Sequence, residues 1–382
     1  MGDRNLFLAN TPLSVLQAAA AARRQGTRAQ LVLLEDFELA PRFAALLRRW
    51  RDNPFEAVVR LPGRHEEHRR GPGAQRGAAA VLRRIASRRD IRRDALAVLA
   101  ALDSRFEPDA VWVGNDSKIE AQYALHLASQ RSGDRAGRYL DDGLRSYLGR
   151  ERERPLARRI DAMVRRIGYG GWARRVAQRG TSPWIAESWL AWPADSVDQD
   201  AGRRRHELPR DWFTGRDFQR LSVLGAREFG VRRKSLRHCS VVLLLPHSQQ
   251  LQGNEGTLLK LRRLMAAADA CGRRVALKYH ARELEADPFG LLVDHEALVL
   301  PKSMPAALLV PLLARGGLLA GESSAALLAA QWLRPDLSVR ELGAGGSRHG
   351  ARTHALAARH GIELLDETAL DARIAEGAAA GA

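Results

Sequence analysis

The 382-residue sequence predicts an α/β protein with two doubly wound parallel sheets. Short apolar runs alternate with segments whose apolar residues recur at helical spacing, first over residues 5–145 and again over residues 240–365. Between them, over residues 149–234, the alternation lapses and arginines and tryptophans dominate. Because alternating strands and helices form right-handed β-α-β units, each of the two segments should build a parallel sheet.

The first segment contains five predicted strands and four predicted helices. The strands fall at residues 5–9, 29–34, 57–61, 110–113 and 138–140. The helices fall at residues 13–24, 41–51, 77–102 and 119–130. A Gly-Pro-Gly sequence and dense charge over residues 67–76 predict a solvated loop.

Six further strands are predicted in the second segment, with helical runs between them. They fall at residues 240–246, 274–278, 297–300, 317–320, 338–342 and 362–365. This pattern predicts an N-terminal Rossmann-like domain over residues 1–148 and a C-terminal one over residues 235–374. Residues 149–234 should form a basic, tryptophan-containing helical connecting region, and residues 375–382 a flexible tail.

The net charge indicates the kind of binding partner, and the cysteine content indicates the cellular compartment. The formal net charge is +17 and the isoelectric point is near 11.0, so anionic partners are expected. Cys239 and Cys271 are the only cysteines, too few for a disulfide framework or a cysteine metal site, which suits a reducing cytosol. The sequence contains neither a signal-peptide apolar region nor a run long enough to span a membrane.

The most informative motif is Asp141-Asp142-Gly143, at the end of the fifth predicted strand. Two adjacent carboxylates repel each other, and burial raises the pKa of a carboxyl group, which suits it to act as a base near neutral pH. Gly143 lets the chain turn where a side chain would obstruct. The alternative is that Asp142 caps a following helix, or that both carboxylates lie in a solvated turn.

A second motif, Lys278-Tyr279-His280-Ala281-Arg282-Glu283, follows an apolar strand. His280 is suited to protonate or hydrogen-bond a leaving phosphate, with Lys278 and Arg282 adding positive charge. The alternative is a histidine that merely belongs to the polar surface.

A third motif, Gly321-Glu322-Ser323-Ser324, joins a strand to an apolar helix. Ser323 and Ser324 would lie at the helix N-terminus, where backbone N–H groups and hydroxyls bind phosphate. Ordinary N-capping explains the pair equally well.

Two loops of the first segment should border the same crevice. Asn10 and Thr11 follow the first strand, and Asn115 follows the fourth. They are candidates for contact with an acceptor, although plain strand-to-helix turns explain both loops. The sequence has no P-loop and no G-x-G-x-x-G after the first strand, and His65 and His68 do not have zinc-motif spacing.

One basic segment could bind a membrane surface. Residues 145–179 contain 11 arginines against three acidic residues, a net charge of +8. Apolar residues form one helical stripe through this segment: Leu156, Ile160, Met163, Val164 and Ile167. Such a helix can lie on anionic lipid headgroups, but it could equally pack its stripe on the core.

Taken in order, the three motifs resemble those of the bacterial sialyltransferases that build lipooligosaccharide and polysialic acid capsules. Residues 139–143 match the paired-acid-glycine motif of that family, residues 278–283 its histidine motif, and Ser323-Ser324 its serine motif. Ala281 stands where the family has proline. The resemblance implies the GT-B fold, in which two Rossmann-like domains face each other across a cleft. It also implies metal-independent, inverting transfer from a CMP-activated donor, without a cofactor.

Carried over residue by residue, the resemblance makes Asp141 the base, with Asp142 supporting it, and His280 the partner of the departing CMP phosphate. Lys278, Arg282, Glu322, Ser323 and Ser324 would bind the donor. Strand parity favours Asp141, because Asp142 shares a face with Leu140, which should point into the core. The sequence leaves open which of the two carboxylates is the base.

The expected activity is transfer of sialic acid, or of a related keto-sugar acid, from its CMP donor to a bacterial surface glycan or glycolipid. The expected location is the cytoplasm, with peripheral contact to the anionic inner membrane. Kdo transfer from CMP-Kdo is a variant with the same chemistry. A non-catalytic binder of anionic lipid or nucleic acid is the other alternative, although no nucleic-acid-binding motif is present.

Overall fold

The structure is a computed structural model that describes residues 3–63, 78–149, 155–198, 202–251, 255–322, 324–343 and 348–365. The chain divides into two compact units, Met1–Trp212 and Phe213–Ala382. Each unit is a parallel α/β sheet with helices packed on it, as the alternation predicts.

Seven parallel strands form the sheet of the first unit, in the spatial order β3-β2-β1-β4-β5-β6-β7. They are β1 (Arg4–Ala9), β2 (Arg28–Glu35), β3 (Ala57–Pro62), β4 (Ala110–Val113), β5 (Gly137–Leu140), β6 (Ile185–Leu190) and β7 (Arg204–Glu207). The helices of this unit are α1 (Pro12–Gln25), α2 (Ala40–Arg49), α3 (Ala78–Phe106), α4 (Ile119–Ser132), α5 (Leu144–Tyr147) and α6 (Pro155–Tyr169). Single 3₁₀ turns lie at Pro193–Asp195 and Arg210–Phe213.

Six parallel strands form the second sheet, in the order β10-β9-β8-β11-β12-β13. They are β8 (Cys239–Leu244), β9 (Arg274–Lys278), β10 (Ala297–Leu300), β11 (Leu318–Gly321), β12 (Ser338–Glu341) and β13 (Glu363–Leu364). The helices are α7 (Arg216–Glu228), α8 (Arg233–Arg237), α9 (Ser248–Leu251), α10 (Glu255–Ala270), α11 (Ala306–Leu309), α12 (Ala325–Leu333) and α13 (Arg348–Arg359), with a 3₁₀ turn at Val310–Leu312.

The first helix shows how local sequence sets an element boundary. Thr11 caps α1 by accepting a hydrogen bond from the backbone N–H of Ser14, and the Ser14 side chain accepts one from the backbone N–H of Thr11 in return. Pro12 occupies the first turn, where its missing N–H costs nothing. At the other end Gly26 has φ of +62°, the left-handed conformation that ends a helix.

Burial explains why the sheets read as apolar runs. Leu6 and Phe7, neighbours on opposite faces of β1, are both fully buried, as are Val242 and Leu243 in β8. Helices therefore cover both faces of each sheet, as expected for parallel strands.

The predicted connecting region over residues 149–234 is not wholly helical. It supplies β6 and β7, which extend the first sheet beyond β5. The alternation rule missed β7 because Arg204-Arg205-His206-Glu207 has no apolar residue, as an exposed edge strand allows. No helix in the described parts of the chain is both long and apolar enough to cross a bilayer.

Candidate functional site

The strand orders locate the switch point of each sheet. In the first sheet, β1 leads outward to β2 and β3 on one side, while β4 to β7 extend on the other. In the second, β8 leads to β9 and β10 on one side, and β11 to β13 extend on the other. Ligands of doubly wound sheets bind at the carboxyl edge, where the loops on either side of such a switch separate.

The polar residues beside the first switch point form hydrogen bonds with other loop residues at this edge of the sheet. Asn10 donates from Nδ2 to Asp36 Oδ2 at 3.2 Å, and Thr11 caps α1. Asn115 accepts hydrogen bonds from the backbone N–H and the hydroxyl of Ser117. Their position at the carboxyl edge is as expected, while their contact with an acceptor stays a prediction.

Asp141 is the best-anchored carboxylate of this edge. The side chain is buried, and each of its oxygens accepts two hydrogen bonds. Oδ1 accepts from the Gly143 backbone N–H at 2.7 Å and from the Ser146 hydroxyl at 3.1 Å. Oδ2 accepts from the Ala191 backbone N–H at 2.9 Å and from the Tyr147 hydroxyl. Asp141 therefore fastens the turn after β5 to α5 and to the end of β6.

The protonation states around Asp141 follow from burial. Burial raises the pKa of Asp141, while the hydrogen bonds from Tyr147, Ala191, Gly143 and Ser146 oppose that rise. Burial and the charge of Asp141 hold the pKa of Tyr147 well above its usual value, so its hydroxyl keeps the proton that it donates. Gly143, with φ of +66°, makes the turn that brings these donors together.

Asp142 has a different environment. Its residue is half-buried, and its carboxylate pairs with the guanidinium of Arg179. Only 6% of the Asp142 side chain and 18% of the Arg179 side chain are exposed, so the pair is shielded but reaches solvent at its edge. The carboxylate of Asp142 can therefore accept further hydrogen bonds, whereas each oxygen of Asp141 already accepts two.

Strand parity does not choose between the two carboxylates. Tyr139 and Leu140 point to opposite faces of β5, yet they are 1% and 2% exposed. Since both faces are covered, sharing a face with Leu140 does not direct Asp142 into the core any more than Asp141. The assignment of the base stays a prediction.

Asp116 is a buried acid of this edge that the sequence patterns did not single out. It accepts hydrogen bonds from the backbone N–H groups of Gly180 at 2.9 Å and Ser182 at 2.8 Å. Burial raises its pKa to about 6. Asp116 therefore shapes the loop that carries Arg179, the partner of Asp142.

In the second unit, His280 follows β9 at the carboxyl edge. Its Nδ1 accepts the backbone N–H of Arg282 at 3.2 Å, which leaves the ring proton on Nε2. Burial, followed by the positive charges of Arg282, His247 and Lys278, lowers the pKa of His280. The ring is therefore neutral near pH 7 and offers one N–H donor.

His247 is a functional candidate that the sequence did not suggest. It lies in the loop after β8, and its Nδ1 accepts the backbone N–H of Gln249 at 3.2 Å. Its ring meets the His280 ring edge to face, with centroids 5.6 Å apart. Each imidazole thus uses Nδ1 as an acceptor within its own loop, and the two rings are in contact. The available clue was that His247 directly follows the strand at the switch point.

Glu283 joins the two histidine loops. Its Oε2 accepts the backbone N–H of Ser248 at 2.8 Å, and its Oε1 accepts that of Leu284 at 3.1 Å. The hydrogen bond from Ser248 lowers the pKa of Glu283, so the carboxylate stays ionised.

Two lysines supply positive charge near the loop that carries His280. Lys278 donates from Nζ to the backbone carbonyl of Lys302 at 3.1 Å, and Lys302 donates to the carbonyl of Glu283 at 3.1 Å. Burial lowers the pKa of Lys278 to about 8, so it is charged at neutral pH and loses its charge in moderate alkali. Arg282 is exposed beside them.

The third predicted motif lies across the switch point, after β11. Ser324 is the N-cap of α12 and accepts the Leu327 backbone N–H at 3.4 Å. Burial, then repulsion from Glu341, raises the pKa of Glu322. Ser323 lies outside the described residues, as do His65 and His68. Within the described ranges, no cluster of three or more histidine, cysteine, aspartate or glutamate side chains could hold a metal ion.

Comparisons with solved structures identify the fold. A UDP-GlcNAc 2-epimerase from Methanocaldococcus jannaschii superposes with a TM-score of 0.55 at 10% identity, covering 99% of this chain and 92% of that one. An α/β-galactoside α-2,3-sialyltransferase from Photobacterium phosphoreum superposes with a TM-score of 0.53 at 10% identity, covering 95% and 98%. The chain has the GT-B fold, which confirms the predicted fold class. No protein-family model and no curated protein matches the sequence.

The structure thus gathers the predicted residues in two groups. Asn10, Thr11, Asn115, Asp141, Asp142 and Gly143 lie at the carboxyl edge of the first sheet. Lys278, His280, Arg282, Glu322 and Ser324 lie at the carboxyl edge of the second. What these residues do, and the family suggested by their motifs, stay predictions.

Proposed function

We propose that this protein is an inverting, metal-independent glycosyltransferase that uses a nucleotide-activated sugar. One observation carries the proposal: the carboxyl edge of each unit presents one of the two kinds of group that the reaction needs, a proton acceptor in one unit and phosphate-binding groups in the other. The first unit offers a carboxylate pair, and the second offers imidazole N–H donors backed by a lysine ammonium. The fold shared with a sialyltransferase supports sugar transfer as the use of these groups.

In the proposed reaction, the acceptor hydroxyl attacks the anomeric carbon of the donor while the bond from that carbon to the phosphate oxygen breaks. The hydroxyl proton passes to a carboxylate of the pair, and the nucleotide leaves as its phosphate. Asp142 takes the proton, because both oxygens of Asp141 are already occupied by hydrogen bonds. Asp141 holds the turn, and attack opposite the leaving group inverts the configuration.

The departing phosphate would be bound by the second unit. The Nε2–H of His280, with His247 beside it, donates a hydrogen bond to the developing oxyanion. Lys278 and Arg282 add positive charge, and Ser324 adds a hydroxyl group at the start of α12. Because His280 is neutral near pH 7, it acts as a hydrogen-bond donor in this scheme.

The motif resemblance further suggests that the donor is CMP-sialic acid and that the acceptor is a bacterial surface glycan. CMP-Kdo is the variant with the same leaving group. The test is nucleotide release by the purified protein, CMP from a panel of CMP-sugars and UDP from a panel of UDP-sugars, with and without EDTA. We expect release from a CMP-linked keto-sugar acid that EDTA does not suppress. Intact donors throughout the panel would overturn the proposal.

A charge-driven, non-catalytic binder is the alternative, and the two are easily distinguished. A transferase should be stabilised against thermal unfolding by CMP. A binder driven by net charge should instead prefer long polyanions and lose them steeply as salt rises.

We further propose that helix α6 holds the enzyme on an anionic membrane. The apolar stripe of this helix is not packed on the core: Leu156 is 70% exposed, Met163 58% and Ile167 75%. Arg159 and Arg166 are exposed on the same helix, so basic side chains accompany the stripe. An apolar face with such a charged border complements the headgroup region of an anionic bilayer.

The membrane proposal predicts that Ile160→Asn/Ile167→Asn weakens vesicle binding about fivefold or more, because it removes apolar area from the interface. Co-sedimentation with phosphatidylglycerol-containing vesicles measures the bound fraction. The control is Leu284→Asn/Val293→Asn, which alters two apolar residues that are 95% and 80% exposed in the second unit. The proposal is contradicted if both variants bind the vesicles equally, or if light scattering shows that the stripe serves only to form dimers.

A further inference from the structure

A second concave site lies at the opposite edge of the second sheet. Helix α8 leads into β8, Arg315 precedes β11, and Arg334 precedes β12. These segments therefore meet at the amino edge, whereas His247, His280 and Ser324 follow the carboxyl ends of strands. The site is separate from the candidate functional site of the same unit.

This site, here called the arginine basin, is unusually basic for its size. It encloses about 690 Å³ and is lined by Arg216, Arg233, Arg237, Arg315 and Arg334, with no aspartate or glutamate in the lining. Cavities that bind small molecules have volumes of about 300–1,000 Å³. The basin is therefore large enough for a compact ligand and carries charge of one sign.

One of the five arginines, Arg334, forms hydrogen bonds within the protein. Arg334 donates from Nε and Nη2 to the two carboxylate oxygens of Asp336, both at 2.7 Å. Its Nη1 donates to the carbonyls of Val310 at 3.2 Å and Leu313 at 3.3 Å. These contacts fix the loop before β11. Of the other four arginines, Arg315 also interacts with the charge of Asp336, and all four line the basin where a ligand would bind.

Arg233 has the most informative environment. Its Nε is buried and has no hydrogen-bond partner among the described residues. A buried donor without an acceptor is costly and calls for a missing partner. Arg233 also lies one helical turn from Arg237 on α8, where two like charges repel. A bound anion would satisfy the donor and remove the repulsion.

The rest of the lining suits a ligand that is anionic but not fully solvated. Phe213, Leu312 and Leu313 are buried apolar residues of the basin wall. Gly215, the N-cap of α7, opens onto the basin and caps the helix with no side chain. Apolar residues in the same lining as the arginines exclude water, which strengthens each charged hydrogen bond.

We propose that the arginine basin binds a compact ligand that carries at least two phosphate groups. Guanidinium groups bind phosphate through paired, charge-assisted hydrogen bonds, and four available arginines exceed what a single phosphate can engage. The proposal does not depend on the sugar-transfer reaction.

The test is isothermal titration of the full chain with inorganic pyrophosphate at fixed salt, in the presence of excess CMP. We expect saturable binding at one site per chain, stronger than that of orthophosphate. Arg233→Gln/Arg237→Gln should weaken it about tenfold or more, because two charge-assisted contacts are lost. The matched control is Arg227→Gln/Arg232→Gln, which removes two exposed arginines outside the lining and should bind as the unmodified chain does.

A titration with short-chain phosphatidylinositol 4-phosphate, a lipid that carries two phosphate groups, below its micellar concentration separates the sources of phosphate. Competition between this lipid and pyrophosphate would place a lipid headgroup in the basin, whereas pyrophosphate binding alone would indicate a soluble ligand. The proposal fails if pyrophosphate does not saturate, if CMP displaces it, or if the control variant loses as much affinity as the basin variant. Melting curves without ligand establish that both variants are folded.

Discussion

Asp142→Asn is expected to lower the rate of CMP release about 100-fold or more, the usual contribution of a general base. The amide keeps the shape of the side chain but cannot accept the acceptor's proton. The rate is measured with whichever CMP-sugar the protein accepts, under single-turnover conditions so that product release does not mask the chemical step. Asp142 pairs with Arg179, so the substitution also leaves that guanidinium without its carboxylate.

Asp198→Asn is the matched control for that loss. Asp198 pairs with Arg203 in the same unit, and the side chains of this pair are 10% and 3% exposed. Both variants therefore remove the carboxylate that a shielded arginine contacts, and both should melt at a lower temperature for the same electrostatic reason. Only Asp142→Asn should lose turnover. Wild-type turnover in Asp142→Asn would remove Asp142 from the mechanism and return the role of base to Asp141.

Asp141→Ala should destabilise the first unit by about 3 kcal/mol or more, since it leaves buried donors without an acceptor. The backbone N–H groups of Gly143 and Ala191 cannot turn away, whereas the hydroxyls of Ser146 and Tyr147 can seek other partners. For a unit of this size the loss corresponds to a melting temperature about 6–12 °C lower.

Tryptophan fluorescence follows this loss in the first unit. Of the eight tryptophans, only Trp332 lies in the second unit, so the emission change on heating reports mainly on the first. Asp94→Ala, which alters an exposed carboxylate on α3, should melt as the unmodified chain does. If Asp141→Ala melts no earlier than this control, the four hydrogen bonds at Asp141 do not support the fold.

Much of the fold follows from the sequence, because buried parallel strands are apolar on both faces. All eleven predicted strands are present as β1–β5 and β8–β13, with ends within two residues of those expected. The two strands that were missed, β6 and β7, lie at the edge of the first sheet. There Ile185-Ala186-Glu187-Ser188-Trp189-Leu190 mixes polar and apolar residues, and its partner strand has no apolar residue. The outermost strand β7 needs hydrogen bonds more than apolar side chains, while polar Glu187 and Ser188 interrupt the apolar run of β6, so hydrophobic periodicity detects neither strand.

The sequence predicted the positions of the candidate residues in the fold better than it predicted their environments. Strand ends placed the carboxylate pair and His280 correctly at carboxyl edges. The partners that set their chemistry come from distant parts of the chain: Arg179 reaches Asp142, and Ala191 reaches Asp141 across 50 residues. His247 was missed for a similar reason, since its loop meets the His280 loop only in the folded sheet.

The bond between Glu283 and Ser248 has an evolutionary consequence. It links the loops that carry the two imidazoles, so we expect a substitution that moves one ring to shift the other as well. If the proposed sugar transfer is the activity, we expect changes of donor preference to accumulate on the opposite flank, around Glu322 and Ser324, where no such hydrogen bond to the histidine loops exists among the described contacts.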